Sequence, residues 1–333
     1  MLIATPNLCL DITVRLPHLV PGAIARATAT DTSAGGKGVN VARAATALGA
    51  GPLLTGFLPT GDGSRLEQLL HHESIAFRTV PVDGVLRVAT ILLEDDGRVT
   101  VINGRGAQID SAQWANFLEL IAGEAPTAQV LVCSGSLPPG LPTDAYRQLV
   151  EIGHRAGIPV IVDAAPQVLE QALAAGPDLV SPNLSEAEGL LLGRTDGYIP
   201  RRSARPEQVD EQGEDIPARA VRAAAALHAA GATRGVVTAG ASGAALATRD
   251  GLWWLPAQPV QVVNPIGAGD CFAAGAALAM VSGANDVDIV RRGMATASAS
   301  CETATAGRLD PVRANALFQA IQAERVGSTV DAR

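Results

Sequence analysis

Two glycine-rich segments of the 333-residue sequence combine residues that could bind an anion and transfer a proton. The segment NPIGAGDCFAAGAALAM, residues 264–280, places Gly267, Gly269 and Asp270 at the start of an alanine-rich helix. Small residues allow a ligand to approach the backbone closely, and the free N–H groups of a first helical turn bind anions. Beside such a site, Asp270 could act as a general base in phosphoryl transfer. Alternatively, its carboxylate only stabilises the helix dipole.

The second segment, AGGKGVNVARAATALG at residues 34–49, also opens a helix with glycines and contains Lys37 and Asn40. Lys37 is the only lysine of the chain. An ammonium is a compact charge and guanidinium a wide planar fork, so a site enclosed by backbone can accept Lys and reject Arg. The alternatives are a solvent-facing lysine on a turn and a composition that reflects coding bias. Two such loops in one chain favour a cleft with two anion sites.

Two further polar segments follow strand-like apolar runs. CSGSLPPGLP at 133–142 contains Ser136, and loops that follow the strands of an open parallel sheet line its ligand crevice. A proline-stiffened turn is the alternative. SPNLSEAEGLL contains Asn183 and Glu186, which could lie near a metal-bound phosphate, although a helix N-terminus favours the same residue types.

The composition and the missing motifs exclude several other classes of protein. A formal net charge of -8 provides no general attraction to nucleic acid or to an anionic membrane. No apolar run approaches the ~18 residues that a membrane span needs. The four cysteines form no CxxC pair, which is typical of reduced thiols in a cytoplasmic protein. The sequence contains neither a P-loop nor a GxGxxG motif after a strand, and its histidines have no zinc spacing.

The elements that must position these residues follow from the apolar pattern. Short runs rich in Val, Ile and Leu alternate with alanine-rich segments, as when QVLVCSGS precedes TDAYRQLVEIGHRAG and then IPVIVDAA. This alternation predicts an α/β domain in which helices cover both faces of a mostly parallel sheet. Because aromatic residues are only 3% of the chain, its core must consist mainly of Ala, Val, Leu and Ile.

Two regions depart from this alternation. Residues 10–30 and 85–105 alternate apolar and polar side chains, and EDDGR in the second region reads as a hairpin turn. Such half-exposed strands predict a small separate sheet that covers a cleft or pairs with a second subunit. The polar, proline-containing stretch at 194–217 is interpreted as a surface insertion.

Taken together, these motifs resemble the PfkB family of sugar kinases, which have the ribokinase-like fold. The resemblance runs from TPNLCLD to TATAG and implies a single three-layer α/β/α kinase domain over residues 1–333. GGKGVNVA is common among ribokinase-like sequences, whereas its combination with a helix-opening GAGD is specific. SGSLPPG resembles the branch that acts on sugars already carrying a phosphate, which includes 1-phosphofructokinase and tagatose-6-phosphate kinase.

The resemblance implies a role for each matching residue. Asp270 matches the catalytic base, the N–H groups of Gly267, Ala268 and Gly269 match its anion hole, and Glu186 matches the carboxylate tied to the magnesium ion. Implied substrate contacts are Asp11, Gly35, Gly36, Lys37, Asn40, Arg87 and Ser136, with Arg26 as a weaker match. Implied nucleotide contacts are Asn183, Thr238, Gly240 and Gly243.

The resemblance thus implies a cytoplasmic phosphotransferase that uses ATP and Mg²⁺ to phosphorylate a hydroxyl of a ketohexose phosphate. Fructose 1-phosphate, tagatose 6-phosphate and fructose 6-phosphate are all compatible with it. The two alternating regions match the family's β-lid, which commonly forms a homodimer contact. Ser181 stands where this branch often has a lysine that contacts ATP, and Arg105 in INGRGAQ replaces a more acidic motif.

Three alternatives stay open on the sequence alone. A kinase for an unphosphorylated sugar or nucleoside would share the superfamily motifs, but SGSLPPG disfavours it. A non-catalytic sugar-phosphate sensor would keep the fold, but the intact GAGD disfavours that. An NAD-dependent enzyme is disfavoured by the missing dinucleotide motif.

Overall fold

A computed structural model describes residues 1–191 and 215–328 of the chain. The predicted surface insertion at 194–217 lies outside these ranges except for its last residues. There, Ile216 and Pro217 already belong to a helix. A proline is well tolerated in a first helical turn, where its missing N–H would have no intrahelical partner.

The described residues form fourteen strands, ten α-helices and two short 3₁₀ helices. The strands are β1 (Leu2–Ala4), β2 (Cys9–Leu16), β3 (Ala29–Gly35), β4 (Leu53–Pro59), β5 (Ala76–Val82), β6 (Arg87–Glu94), β7 (Val99–Asn103), β8 (Leu131–Ser134), β9 (Val160–Asp163), β10 (Leu179–Val180), β11 (Gly235–Thr238), β12 (Gly243–Thr248), β13 (Gly251–Pro256) and β14 (Glu324–Gly327). The helices are α1 (Lys37–Ala47), α2 (Ser64–His72), α3 (Ser111–Glu124), α4 (Ala145–Arg155), α5 (Pro166–Leu173), α6 (Leu184–Leu191), α7 (Ile216–Ala229), α8 (Ala268–Val281), α9 (Asp286–Cys301) and α10 (Pro311–Ala320).

Ten strands form the main sheet in the order β14-β13-β12-β11-β10-β9-β8-β1-β4-β5. Every pairing from β5 across to β11 is parallel, and β12, β13 and β14 extend one edge with antiparallel pairings. The central strands β1, β8 and β9 are buried throughout, so they appear in the sequence as continuous apolar runs. The predicted mostly parallel sheet is confirmed.

Helices cover both faces of this sheet, which confirms the predicted three layers. Core residues of α1, α2, α8, α9 and α10 pack on one face, and those of α3 to α7 pack on the other. Small residues allow close approach: a Cβ added to Gly275 in α8 would lie 2.3 Å from Thr296 Oγ1 in α9. A core made largely of Ala, Val, Leu and Ile can be dense only where helices approach this closely.

The small sheet has the strand order β3-β2-β6-β7 and confirms the predicted separate sheet. The hairpin between β6 and β7 also forms as predicted, with Gly97 at a φ of 84°. Within the region predicted at 10–30, β2 ends at Leu16, residues 17–28 form a largely exposed connection, and β3 begins at Ala29. Pro17 and Pro21 supply no backbone N–H for a strand pairing there.

The order of the main sheet reverses at β1. This strand lies between β4 and β8, so the chain leaves it toward one edge and later builds the sheet toward the other. In open parallel sheets, the crevice beyond the carboxyl ends of the strands at such a reversal is where ligands bind. The small sheet grows from this same end, because β2 begins five residues after β1 ends.

Within residues 1–191 and 215–328, none of the helices has both the length and the apolar character needed to cross a membrane.

Candidate active site

The loops after β1 and β8 meet where the strand order reverses. Asn7 follows β1, and its Nδ2 donates to Ser136 Oγ at 3.0 Å. Arg87, at the start of β6, donates from Nη1 to the same hydroxyl at 3.4 Å and from Nη2 to Asn103 Oδ1 at 2.8 Å. These residues line one cleft together with Arg105. A cleft with two guanidinium groups and a hydroxyl is suited to an anionic group such as a phosphate.

Asp11 lies on β2, directly against the first glycine loop. A Cβ added to Gly35 would lie 2.1 Å from Asp11 Oδ1, so only glycine leaves room for this carboxylate. Cys9 Sγ donates to the same oxygen at 3.4 Å. Burial raises the pKa of Asp11, while the Cys9 hydrogen bond and the charges of Arg43 and Arg87 oppose that rise.

Lys37 is the first residue of α1 and follows Gly36, whose φ of 98° is one that residues with a Cβ rarely adopt. Its Nζ donates to both carboxylate oxygens of Asp163, at 3.0 and 3.1 Å. Asp163 ends β9 and its side chain is 5% exposed, whereas that of Lys37 is 40% exposed. Lys37 is therefore an ion-paired side chain at the surface of the crevice and not a free, solvated turn lysine.

The second glycine loop ends at Gly267, whose φ of 83° precedes the start of α8 at Ala268. A hydrogen bond from Cys271 N–H to the Gly267 carbonyl, at 2.9 Å, closes the first turn and leaves the N–H of Gly269 ahead of it. A Cβ added to Gly269 would meet no atom within 4 Å, so the space beside this turn is open. The N–H of Ala268 already bonds the Pro265 carbonyl at 3.3 Å.

Asp270 lies in the first turn of α8, and only 5% of it is exposed. Its Oδ2 accepts a hydrogen bond from Asn40 Nδ2 at 2.8 Å. A Cβ added to Gly267 would lie 3.2 Å from the same Asn40 nitrogen. The two glycine loops, which the sequence predicted to share a cleft, are therefore in direct contact.

The surroundings of Asp270 raise its pKa. Burial raises its pKa to about 7, against the attraction of Lys37 and the hydrogen bond from Asn40, while Asp163 and Asp11 repel its charge. A carboxylate that titrates near neutral pH accepts a proton more readily than an exposed aspartate does.

Lys37 keeps its positive charge despite losing water. Desolvation lowers its pKa, but the attraction of Asp163, Asp270 and Glu186 outweighs this effect and raises the pKa overall. One ammonium thus faces three carboxylates, and the crevice has an excess of negative charge when all of them are ionised.

Asn183 and Glu186 close the first turn of α6 by bonding each other. Asn183 N–H donates to Glu186 Oε2 at 3.0 Å, and Glu186 N–H donates to Asn183 Oδ1 at 2.9 Å. The helix-start interpretation of these two residues is therefore confirmed. This pairing does not use every oxygen of the two side chains, because Glu186 Oε1 takes no part in it.

The residues of the predicted nucleotide loop lie beside Asn183. Thr238 ends β11 and forms a parallel bridge with Asn183. Gly240 and Gly243 have φ values of 56° and 141°, which favour glycine. A Cβ added to Gly243 would lie 2.2 Å from the carbonyl oxygen of Leu255, so the turn into β12 is too tight for any other residue.

Two buried hydroxyl groups flank Asp163, and neither has a hydrogen-bond partner in the described part of the chain. Ser134 is the register partner of Asp163 on β8, and Ser181 directly follows β10 on the other side of β9. Buried polar atoms are rarely left unpaired. They add two hydroxyl groups to the polar surroundings of Asp163.

The structure does not connect every predicted residue to the crevice. Arg26 lies in the exposed connection at 17–28, and no hydrogen bond within residues 1–191 and 215–328 joins it to the residues above. Its predicted substrate contact stays a prediction.

Sequence reasoning missed Asn7, Asp163 and Arg43. Asn7 and Asp163 follow or end apolar strands, as Ser136 does, so the rule that selected Ser136 would also have found them. Arg43, which donates to Asn40 Oδ1 at 3.1 Å, carries no such signal. An arginine in an alanine-rich helix reads as a surface residue.

A buried carboxylate beside a helix N-terminus, in the crevice of a parallel sheet, is an arrangement suited to phosphoryl transfer to small molecules. The model of the pfkB family carbohydrate kinases matches residues 4–313, and the chain belongs to this family. The chain is therefore a phosphotransferase with an alcohol group as acceptor, and its fold is ribokinase-like, as its motifs predicted.

Three relatives show which members of the family the chain resembles. The 1-phosphofructokinase of Haloferax volcanii is 33% identical over 299 residues, which are 90% of each chain. Phosphofructokinase-2 of Escherichia coli, in a crystal structure with potassium, has a TM-score of 0.82 at 26% identity, over 96% of this chain and 98% of that one. A possible 1-phosphofructokinase of Thermotoga maritima has a TM-score of 0.81 at 25% identity, over 98% and 99%.

The burial of Asp270 predicts a pH-dependent stability. A carboxyl group whose pKa is higher in the folded state stabilises the fold when protonated, and this contribution is lost as the pH rises toward about 7. Asp270→Asn cannot ionise, so its unfolding free energy should gain on that of the wild type by about 2 to 3 kcal/mol between pH 5 and pH 8. Urea unfolding across this range measures the difference.

The control is Asp31→Asn, which changes an exposed carboxylate. It should track the wild type over the same range. A constant difference between Asp270→Asn and the wild type would contradict the proposed burial effect.

Proposed function

We propose that the chain transfers the γ-phosphoryl group of ATP, bound with Mg²⁺, to a hydroxyl of a ketohexose phosphate. The observation that carries this proposal is Asp270, buried at the start of α8, bonded to Asn40 and facing the charge of Lys37. A base poised near neutral pH, an open helix N-terminus and a fixed cation are the parts that phosphoryl transfer requires.

The residues present fit a magnesium-bound nucleotide. Glu186 Oε1 offers the kind of oxygen ligand that Mg²⁺ prefers, and the excess of carboxylates around Lys37 favours a divalent cation. MgATP would supply the phosphoryl group, with the metal offsetting charge on its phosphates. The residues that would contact the nucleotide are Asn183, Thr238, Gly240 and Gly243.

Asp270 would accept the proton of the attacking hydroxyl as the new O–P bond forms and the bond to ADP breaks. The N–H groups of Gly267 and Gly269 would donate to the oxygens of the transferring group. The N–H of Ala268 would join them on exchanging its 3.3 Å bond to the Pro265 carbonyl. Only the N–H of Ala268 needs such an exchange, so little reorganisation is required at the other two donors.

The phosphate that the sugar already carries would lie in the cleft of Arg87, Ser136 and Arg105, and the charge of Lys37 would help to neutralise it. An unphosphorylated sugar would leave these two guanidinium groups without an anionic partner, which disfavours that alternative. Asp11, held against Gly35, would accept hydrogen bonds from sugar hydroxyls.

Among the ketohexose phosphates, fructose 1-phosphate is the first candidate. The support for this choice is the 33% identity to a 1-phosphofructokinase over 90% of both chains. Tagatose 6-phosphate and fructose 6-phosphate are the next candidates, since a cleft formed by two arginines does not by itself fix the position of the phosphate.

The small sheet would act as a lid over the crevice and as the contact between two copies of the chain. It carries apolar side chains that are largely in water, including Val101 at 47%, Ile102 at 59% and Ile24, in its connecting segment, at 92%. Exposed apolar groups of this size are common on surfaces that associate.

The catalytic role predicts the loss of turnover in Asp270→Asn, which keeps the side-chain shape and one acceptor oxygen but no proton-accepting charge. Turnover of fructose 1-phosphate should fall by at least about a thousandfold, while sugar-phosphate binding stays within about threefold. A coupled ADP-release assay over fructose 1-phosphate, fructose 6-phosphate, tagatose 6-phosphate, fructose and ribose measures turnover, and calorimetry measures binding. Retained turnover in Asp270→Asn would contradict the role of Asp270 as the base. A wild type that turns over fructose or ribose best would contradict the proposal of a phosphosugar substrate.

The solitary lysine predicts that Lys37→Arg raises the Michaelis constant for the sugar phosphate by about tenfold or more, because a wider guanidinium would have to replace the compact ammonium that contacts both oxygens of Asp163. Steady-state kinetics at saturating ATP measure it. Arg155→Lys, an exposed exchange at the end of α4, is the control and should leave the constant as it is. An unchanged constant in Lys37→Arg would show that coding bias alone explains the single lysine.

The lid contact predicts a dimer that a charge on the small sheet dissociates. Ile102→Asp should shift the wild-type dimer to a monomer in sedimentation velocity, because the contact would bury an unpaired carboxylate. Val312→Asp on α10, where the valine is 76% exposed, is the matched control and should stay dimeric. A monomeric wild type, or a dimeric Ile102→Asp, would rule out this interface.

A further inference from the structure

Arg43 is a buried arginine in the helix that carries Lys37 and Asn40. Its side chain is 6% exposed, and that of Glu73, which directly follows α2, is 12% exposed. Nη2 of Arg43 donates to Glu73 Oε1 at 2.6 Å and to the Ala34 carbonyl at 2.7 Å, and Nε donates to Glu73 Oε2. Its Nη1 donates to Asn40 Oδ1 at 3.1 Å.

A buried ion pair of this kind needs an explanation other than stability. Desolvating two charges costs so much that well-packed apolar residues often stabilise a fold as well or better. Most of the neighbours of Arg43 in α1 are alanine, valine and glycine, so an apolar side chain would suit the surrounding core. The planar guanidinium instead joins three groups that lie apart in the sequence: a glycine-loop carbonyl, Glu73 and Asn40.

The contact with Asn40 determines which way its carboxamide points. The two ends of a carboxamide have nearly the same shape, but the oxygen only accepts hydrogen bonds and the nitrogen only donates. Arg43 has donors only, so it must face Asn40 Oδ1. The nitrogen of Asn40 then faces Asp270, where it donates to Oδ2 at 2.8 Å.

The opposite orientation of the amide would be unfavourable at both ends. It would place the N–H groups of Asn40 against those of Arg43, and its carbonyl oxygen against the carboxylate of Asp270. Glu73 prevents Arg43 from turning away, because it holds two of its nitrogens. The chain Glu73–Arg43–Asn40 thus leaves one stable orientation at Asp270.

We propose that Arg43 is a positioning residue for this enzyme. It holds the carboxamide of Asn40 in the orientation in which the amide nitrogen donates a hydrogen bond to the carboxylate of Asp270. The role of Asp270 as the base rests on the proposed function, whereas the orientation of Asn40 rests only on the contacts described here.

The fixed orientation of the Asn40 carboxamide has a measurable effect on the protonation of Asp270. The donated hydrogen bond favours the ionised form, as does Lys37, whereas burial and the charges of Asp163 and Asp11 oppose it. When Arg43 no longer holds it, the amide can rotate and place its oxygen against Asp270. The titration of Asp270 then moves to higher pH.

The test compares two variants of the full chain. Arg43→Met with Glu73→Gln removes the guanidinium without leaving Glu73 as an unpaired charge, and Glu73→Gln alone is the matched control, in which Arg43 can still bond Asn40 and Ala34. The carboxyl resonance of Asp270, labelled with ¹³C and assigned by its loss in Asp270→Asn, is followed against pH. The double variant should titrate at least about half a pH unit above the wild type, a threefold shift in the proton equilibrium, and the control should not.

Kinetics give a second readout. In the profile of turnover against pH, the acid limb of the double variant should move to higher pH by the same amount as the titration of the resonance. A uniform loss of turnover with an unmoved limb and an unmoved resonance would overturn the proposal, because it would reduce Arg43 to a structural residue. A moved resonance together with full turnover in Asp270→Asn would uphold the positioning role of Arg43 and refute the catalytic base.

Two further variants keep the test decisive. Asn40→Ala should raise the titration of Asp270 on its own, and in that background the loss of Arg43 should add no further shift. If the double variant does not fold, Arg43→Lys keeps a positive charge facing Glu73 but removes the planar fork, and it should move the resonance in the same direction by a smaller amount. A resonance that stays in place in Arg43→Lys would overturn the proposal.

Discussion

The acidic side chains of the crevice are arranged around the ammonium group of Lys37. Asp163 accepts both of its hydrogen bonds, and the charges of Asp270 and Glu186 attract it as well. Carboxylates held together away from water repel each other and lose hydration, so each added one favours the protonated state of the rest. The single lysine limits that tendency, and it leaves Asp270 titrating near neutral pH.

The fold brings these charges together without placing any long polar segment inside the core. Asp163 stands at the end of a buried strand, Lys37 at the first residue of a helix, and Asp270 in the first turn of another helix. All three positions lie at the boundary between regular structure and the crevice. Polar side chains at such boundaries can face a ligand while the apolar residues next to them build the core.

The extent to which the sequence predicted this arrangement depends on how local each signal is. The parallel sheet, the β6–β7 hairpin and both glycine loops are encoded by neighbouring residues, and all of them were found. The pairs Lys37–Asp163 and Arg43–Glu73 join residues 126 and 30 positions apart, and only the packing of elements brings them together. The apolar alternation of residues 10–30 located the small sheet but not the end of β2 at Leu16, because the alternation continues past the residue where pairing stops.

Only one residue separates the small sheet from the helix that begins with Lys37. β3 ends at Gly35 and α1 begins at Lys37, with only Gly36 between them. Because glycine tolerates backbone angles that other residues rarely adopt, the chain can turn sharply from the strand into the helix at Gly36, whose φ is 98°. An edge strand of the small sheet and the residue that carries the ammonium are therefore held next to each other by the covalent chain, and not only by packing.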